Sequence, residues 1–180
     1  HNRPATFFNE DIVAHVIMAD PFCANLSGIL SDIGDKNIPS GRQLHRGGTY
    51  LAMEGPAFST RAESNLYRQW GCSIIGMTNH TEARLAREAE IAYASLSMVT
   101  DYDCWNQKQE EVSVEMVIEN LKVNTAVANK IVYETAKVID TKRPISKAHQ
   151  SLKDGLMTSK ESSSKDAQSK VRIFTDNYWN

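Results

Sequence analysis

The sequence has few cysteines, and none of them has the spacing of metal ligands. Its three cysteines, Cys23, Cys72 and Cys104, lie far apart in a chain of 180 residues, and its five histidines are scattered. This pattern argues against a zinc site. The odd cysteine count, with no export signal in the opening stretch "HNRPATFFNE", predicts reduced thiols and a cytoplasmic location.

The chain also lacks a basic excess and a long apolar run. Its 20 Lys and Arg residues face 22 Asp and Glu residues, which gives a formal net charge of −2. Nucleic-acid-binding domains normally carry a basic excess, so we expect no nucleic-acid partner. No apolar stretch approaches the roughly 18 to 20 residues that span a bilayer, so we expect no membrane partner either.

Short apolar runs alternate with amphipathic stretches through most of the chain. Strands are predicted at 15–22, 47–56, 72–78 and 91–100, and helices at 59–70, 82–90 and 114–139. A capping-box pattern at Thr60 and Glu63 marks one helix start, and Ser113 is suited to cap another. This alternation predicts an α/β fold with a mixed, largely parallel sheet flanked by helices.

The C-terminal residues differ in composition from the rest. The α/β domain is expected to cover residues 1–158. The stretch "SKESSSKDAQSK" at 159–170 has the composition of a polar linker, and 171–180 recovers apolar character and is predicted to form a last helical segment.

Polar and aromatic side chains follow three of the predicted strands. They are Phe58 and Ser59, Met77 and Thr78, and Asp101 and Asp103. Ligands of α/β sheets bind beyond the carboxyl ends of the strands, so we expect these residues to form a site. Two spaced carboxyl groups match the N7 and 6-amino positions of adenine, because a carboxylic acid in an apolar pocket can protonate N7 and a carboxylate can accept from the amine.

Each of these residues also has a simpler structural explanation. Acidic pairs occur in turns, threonine and serine cap helices, methionine and phenylalanine pack in cores, and a strand histidine is often structural. Asp101 and Asp103 could be turn residues, and Thr78 and Ser59 could be helix caps. Met77 and Phe58 could pack in the core, and His15 could be a structural strand histidine. Spacing alone leaves both interpretations open.

Residues 48–105 contain an ordered set of motifs that resembles a known family. The motifs are "EGPAFSTRAES", "GMT" and "TDYDCW", and "RPATFF" and "HVIMADPFC" precede them. In this order they resemble the S-methyl-5′-thioadenosine phosphorylases, a branch of the purine nucleoside phosphorylase family. The resemblance covers about residues 2–140. It implies a homotrimeric α/β enzyme that needs no cofactor and uses inorganic phosphate to release adenine and 5-methylthioribose 1-phosphate from a small nucleoside.

The resemblance also implies roles for single residues. Asp101 would hydrogen-bond purine N7 and act as the acid, and Asp103 would bind the 6-amino group. Phe58 would stack beside the base, Met77 would line the ribose, and Thr78 would hold phosphate.

Four further residues acquire roles from the same resemblance. Ser59 stands where the 6-oxopurine branch carries glutamate, which supports an adenine-type substrate. Val114 and Val117 match positions that shape the pocket for the methylthio group, where a small apolar wall disfavours a 5′-hydroxyl. His15 matches a residue that reaches toward the substrate of a neighbouring subunit.

The sequence departs from the family pattern in two places. Thr81 and Glu82 follow the "GMT" motif region where the family usually has Pro-Glu. The family's first strand, glycine-containing phosphate loop and phosphate-binding Arg–His pair have no counterpart in these residues. We therefore expect a domain incomplete at its N-terminus, and a segment that alone lacks most phosphate donors.

Two alternatives differ in chemistry from methylthioadenosine phosphorolysis. One is a related enzyme, either a 6-oxopurine phosphorylase or a hydrolytic nucleosidase. The other is a truncated, catalytically silent paralogue that binds adenine nucleosides, which the missing phosphate loop suggests.

Overall fold

The computed structural model describes residues 3–9, 11–106 and 114–179, which form helices joined to a small sheet. The elements are α1 (Ala24–Asn37), β1 (Tyr50–Ala52), α2 (Arg61–Gln69), β2 (Ile74–Gly76), α3 (Asn79–Glu88), α4 (Val114–Lys142) and α5 (Lys165–Thr175), with 3₁₀ turns at Lys147–Gln150 and Lys160–Ser162. The chain divides into a first unit (residues 1–27, 79–95 and 144–180) and a second unit (28–78 and 96–143).

The second unit contains a parallel β–α–β crossover. Strands β1 and β2 pair in parallel, with Tyr50 opposite Ile74 and Ala52 opposite Gly76, and α2 connects them. Parallel neighbours need such a crossover because the end of one strand and the start of the next lie at opposite edges of the sheet. At Gly76 the backbone passes close to the side chain of Tyr50, so a Cβ there would require the Tyr50 ring to move. This unit confirms the predicted α/β class.

Helix α2 is stabilised at both ends by its own sequence. The Thr60 hydroxyl accepts from the Glu63 N–H at 3.3 Å, and the Glu63 carboxylate accepts from the Thr60 N–H at 2.7 Å, which is a complete capping box. At the other end Gly71 adopts φ 78°, and the Cys72 N–H donates to the Tyr67 carbonyl at 3.1 Å. This is a Schellman ending, in which glycine supplies the left-handed residue.

The core of the first unit is formed by residues from distant parts of the chain. Its buried residues are Phe8, Ile12, Leu152, Ala167 and Val171. The last turn of α3 contributes hydrogen bonds within the same unit. Arg87 donates to the carbonyls of Ile17 at 2.5 Å and Asp20 at 2.6 Å, and the buried Glu88 carboxylate accepts from the Phe7 N–H at 2.7 Å.

Two of the predicted strands were wrong. Residues 91–100 have no strand assignment, and Met98 and Val99 are 40% and 56% exposed rather than buried. Residues 15–22 have none either, although Ala14 forms a single antiparallel bridge with Leu156. An apolar run becomes a strand only when a neighbour pairs with its backbone, and the described residues provide β1 and β2 as the only such pair.

The helices also differ from the prediction in two places. Helix α1 was not predicted, and it ends at Asn37, two residues before Pro39. Helix α5 begins at Lys165, inside the stretch 159–170 where a linker was expected, and Ser164 caps it by accepting from the Ala167 N–H. Its buried face holds Ala167, Val171 and Thr175. The predicted cap Ser113 lies outside the described residues.

Candidate active site

The two candidate aspartates form a tight turn in the second unit. The N–H of Asp103 donates to the carboxylate of Asp101 at 2.9 Å, and the Thr100 hydroxyl donates to the other oxygen of that carboxylate at 2.7 Å. Asp103 has φ 57°, a left-handed conformation that aspartate tolerates better than most residues. Residues 101–105 are called the aspartate loop below. The turn role and the site role of these acids are therefore compatible.

One face of α2 contacts three consecutive residues of the aspartate loop. The Ser64 hydroxyl donates to the carboxylate of Asp103 at 2.6 Å, and Arg61 donates to the carbonyl of Cys104 at 2.5 Å. Arg68 lies over the ring of Trp105, with its guanidinium carbon 3.7 Å from the ring centre. Positions 61, 64 and 68 fall on one side of a helix. Helix α2 therefore contacts the aspartate loop from Asp103 to Trp105.

Helix α4 supports the residues that lead into the aspartate loop. The side-chain amides of Asn120 and Asn124 donate to the carbonyls of Thr100 at 3.2 Å and Val99 at 2.9 Å. Arg42 donates in turn to the amide oxygen of Asn120 at 3.3 Å. These bonds satisfy backbone carbonyls that a strand partner would otherwise satisfy.

The loop after β1 is joined to the aspartate loop through Ser59. The Cys104 thiol donates to the Ser59 carbonyl at 3.5 Å, and the Ser59 hydroxyl donates to the Met53 sulfur at 3.5 Å. Met77 is half-buried with its sulfur against Gly55, where a Cβ would lie 2.9 Å from it. Phe58 is 86% exposed, so its ring is open to a flat ligand rather than packed in a core.

The remaining candidates occupy different parts of the chain. Thr78 is exposed and immediately precedes α3, a position that also suits a cap. Val117 is half-buried in the first turn of α4, and Val114 is the first residue of that helix, with its side chain outside the described part. His15 is exposed and belongs to the first unit, where its backbone N–H donates to the Gly155 carbonyl at 2.7 Å.

The two aspartates differ in environment. Asp101 is exposed and Asp103 is half-buried, so the apolar enclosure predicted around the acid is not supplied by the described residues.

No cluster of three or more metal-ligating side chains occurs in the described ranges. No helix in the described part of the chain is long and apolar enough to cross a membrane.

Sequence reasoning missed the residues that support the aspartates. The sequence analysis predicted no role for Ser64, Arg61 or Arg68, although Arg61 and Ser64 lie inside the motif "EGPAFSTRAES". Their spacing along a predicted helix was visible, but its partner lies about 40 residues later in the chain, and a single sequence does not show that contact.

Residues 1–137 match the family profile described as the Phosphorylase superfamily. The match covers more than half of the chain, and the chain belongs to this superfamily. Within it, the chain is similar to proteins named S-methyl-5′-thioadenosine phosphorylase. It is 63% identical over 179 residues to that of Prochlorococcus marinus, covering 99% of the chain and 57% of the relative, and 43% identical to that of Aspergillus fumigatus, covering 99% and 54%.

Solved structures agree with this placement. A methylthioadenosine phosphorylase from an Antarctic soil metagenomic library superposes with a TM-score of 0.91 at 42% identity, covering 97% of the chain and 61% of that structure. A methylthioadenosine phosphorylase from Schistosoma mansoni in complex with adenine gives a TM-score of 0.70 at 33% identity, covering 78% and 55%. The fold is therefore that of these phosphorylases, and the chain spans about half the length of the relatives it matches.

Proposed function

We propose that the protein containing this chain cleaves S-methyl-5′-thioadenosine with inorganic phosphate. The products are adenine and 5-methylthioribose 1-phosphate. The observation that carries the proposal is the aspartate loop, in which one turn presents two carboxylates and α2 holds that of Asp103. The names of the similar proteins support the same substrate.

Asp101 is the residue that assists departure of the base. The C1′–N9 bond breaks as a phosphate oxygen bonds to C1′, and the electron pair of the broken bond passes into the purine ring. A proton from the carboxyl group of Asp101 goes to N7, so adenine leaves as a neutral molecule rather than an anion. The bound purine itself covers the exposed carboxyl group and excludes water from it.

Asp103 and its neighbours recognise the base and sugar. A carboxylate accepts hydrogen bonds only, so Asp103 accepts from the 6-amino group and has nothing to donate to a 6-oxo group. The exposed ring of Phe58 stacks beside the purine, and the sulfur of Met77 contacts the ribose. Ser59 in place of glutamate leaves the base site without a third acid.

The remaining residues bind the phosphate and the methylthio end of the nucleoside. The hydroxyl of Thr78, just before α3, donates a hydrogen bond to phosphate. Val114 and Val117 form the wall of the pocket for the methylthio group. His15 reaches the substrate of a neighbouring subunit in a homotrimer. Inorganic phosphate is the co-substrate and nucleophile, and the proposed reaction includes no metal or organic cofactor.

The test is adenine release from S-methyl-5′-thioadenosine with and without phosphate. We expect release that depends on phosphate and a higher kcat/KM for methylthioadenosine than for inosine. Release that continues undiminished without phosphate would make the protein a hydrolase. A preference for inosine would assign it to the 6-oxopurine enzymes, and adenine binding without turnover would make it a binding protein.

A further inference from the structure

Ser64 is a buried helix residue whose side chain reaches the candidate site. It is 1% exposed in the middle of α2, and its hydroxyl donates to Asp103 at 2.6 Å. A serine inside a helix commonly turns its hydroxyl back to a carbonyl of its own helix. Here the hydroxyl bonds a residue 39 positions later, which ties the helix to the aspartate loop.

We propose that Ser64 is a positioning residue that sets the preference for a 6-amino purine. It does so by fixing the carboxylate of Asp103, and the inference rests on the function proposed above. The hydroxyl occupies one carboxylate oxygen, Oδ2. The other oxygen, Oδ1, is thereby oriented to accept from the amine of the base. Without the hydroxyl the carboxylate rotates freely about its last bond.

The backbone of Asp103 makes this orientation sensitive to its supports. A left-handed conformation at a non-glycine residue costs free energy and persists where the surroundings hold it. Asp103 is held at its N–H by Asp101 and at its side chain by Ser64. Removing the second support releases the side chain while the first keeps the turn.

The neighbouring contacts confine the effect to Asp103. Arg61 holds the carbonyl of Cys104, and Arg68 covers the ring of Trp105, so the two residues that follow Asp103 stay attached to α2 when Ser64 is replaced. The loop as a whole keeps its place. The expected consequence is a loss of contact with the 6-amino group, not a general loss of purine binding.

The experiment compares adenine with unsubstituted purine, which lacks the 6-amino group. Both are titrated calorimetrically, with phosphate present, into the wild-type protein and the variants Ser64→Ala and Ser64→Cys. Cysteine nearly preserves the volume of serine but donates only weakly, so it separates packing from hydrogen bonding. We expect the Kd for adenine to rise about tenfold in both variants and the Kd for purine to stay within twofold.

The matched control is Glu63→Ala on the same helix. It removes the capping partner of Thr60 without touching Asp103. We expect a lower Tm and an unchanged ratio of the two affinities. An equal loss of adenine and purine binding in the Ser64 variants, or no loss of either, would overturn the inference.

The variant Asp103→Ala separates this inference from the proposed function. If it loses the preference for adenine while the Ser64 variants keep it, Asp103 recognises the amine and Ser64 does not position it. If the wild-type protein shows no preference, or Asp103→Ala retains it, the site assignment fails and the Ser64 inference fails with it.

Discussion

Asp101 and Asp103 are two residues apart and have different hydrogen-bond partners. Asp101 accepts from a hydroxyl and a backbone N–H within its own turn, whereas Asp103 accepts from a buried hydroxyl on a helix. Asp101 is exposed and Asp103 is half-buried. The residue facing outward suits proton transfer to a ligand, and the residue with a fixed carboxylate suits recognition of one chemical group.

Replacing Asp101 by asparagine tests the acid role. The amide oxygen can still accept from the Asp103 N–H, so the turn is expected to survive, but the proton for N7 is lost. We expect kcat for methylthioadenosine to fall about 10²–10⁴-fold, the usual contribution of a general acid, with Tm little changed. Asp140→Asn, an exposed acid paired with Arg143 at the end of α4, is the matched control. A kcat within a fewfold of wild type for Asp101→Asn would refute the assignment.

Helix α2 combines a structural and a functional task. Its ends are fixed by a capping box and a Schellman turn, and its middle face contacts the aspartate loop. The ends depend on residues adjacent in sequence, so the helix was predictable from the chain alone. The face depends on a distant loop, so its task was not.

Loss of the cap of α2 should lower stability without abolishing the fold. Thr60→Ala removes the hydroxyl that accepts from the Glu63 N–H, and we expect the free energy of unfolding to drop by about 1 kcal/mol. Thr60→Ser keeps a good cap and should lie close to wild type. Urea unfolding measures both, and equal values for the alanine and serine variants would show that the cap does not contribute.

The same cap predicts a dependence on acid. Hydrogen bonds from the side chain and then the backbone of Thr60 hold the pKa of Glu63 below its ordinary 4.5. The stabilisation is therefore present above that value and is lost as pH falls through the lower folded pKa. We expect the difference in Tm between wild type and Thr60→Ala to shrink as pH falls from above 4.5 to well below it. A difference that is constant or grows would contradict this.

The predicted strands show where local pattern stops being informative. The apolar run at 47–56 contains β1 because residues 74–76 pair with it, while the more apolar run at 91–100 has no strand assignment. Composition was the same kind of signal in both. Pairing is a property of two segments, and the sequence of one segment does not contain it.

At the scale of the whole molecule, Glu90 joins the C-terminal residues to the rest of the first unit. Its carboxylate accepts from the Leu152 N–H at 3.0 Å and from the Tyr178 hydroxyl at 2.7 Å. Burial, with the hydrogen bond to Glu90 and its charge, raises the pKa of Tyr178 to about 12. The last residues are thus part of the packed unit.

Tyr178→Phe tests this connection. At neutral pH we expect a loss of about 1.5–3 kcal/mol in the free energy of unfolding, the usual contribution of a hydrogen bond to a charged group. The raised pKa means that the stabilisation is complete below pH 10, the ordinary value for tyrosine, and is lost as pH rises toward 12. The Tm of wild type should therefore fall more steeply than that of the variant across this interval. Tyr133→Phe, exposed on α4, is the control. Parallel Tm curves for wild type and Tyr178→Phe would contradict the prediction.

The sequence indicated which residues to examine better than it indicated how they are held. Its motifs identified Ser59, Asp101 and Asp103, which the structure connects through Cys104 and one turn. It did not identify Ser64. The difference is physical, because ligand chemistry restricts the residue types that can serve it, whereas a supporting hydroxyl can come from any element that happens to lie nearby.

The most direct test of the site is a crystal structure of the protein with adenine and phosphate bound. The account predicts that a carboxylate oxygen of Asp101 lies within hydrogen-bond distance of N7 and one of Asp103 within that distance of the 6-amino group. It also predicts that the Ser64 hydroxyl keeps its bond to Asp103. Adenine bound away from the aspartate loop, with both carboxylates facing solvent, would contradict the account.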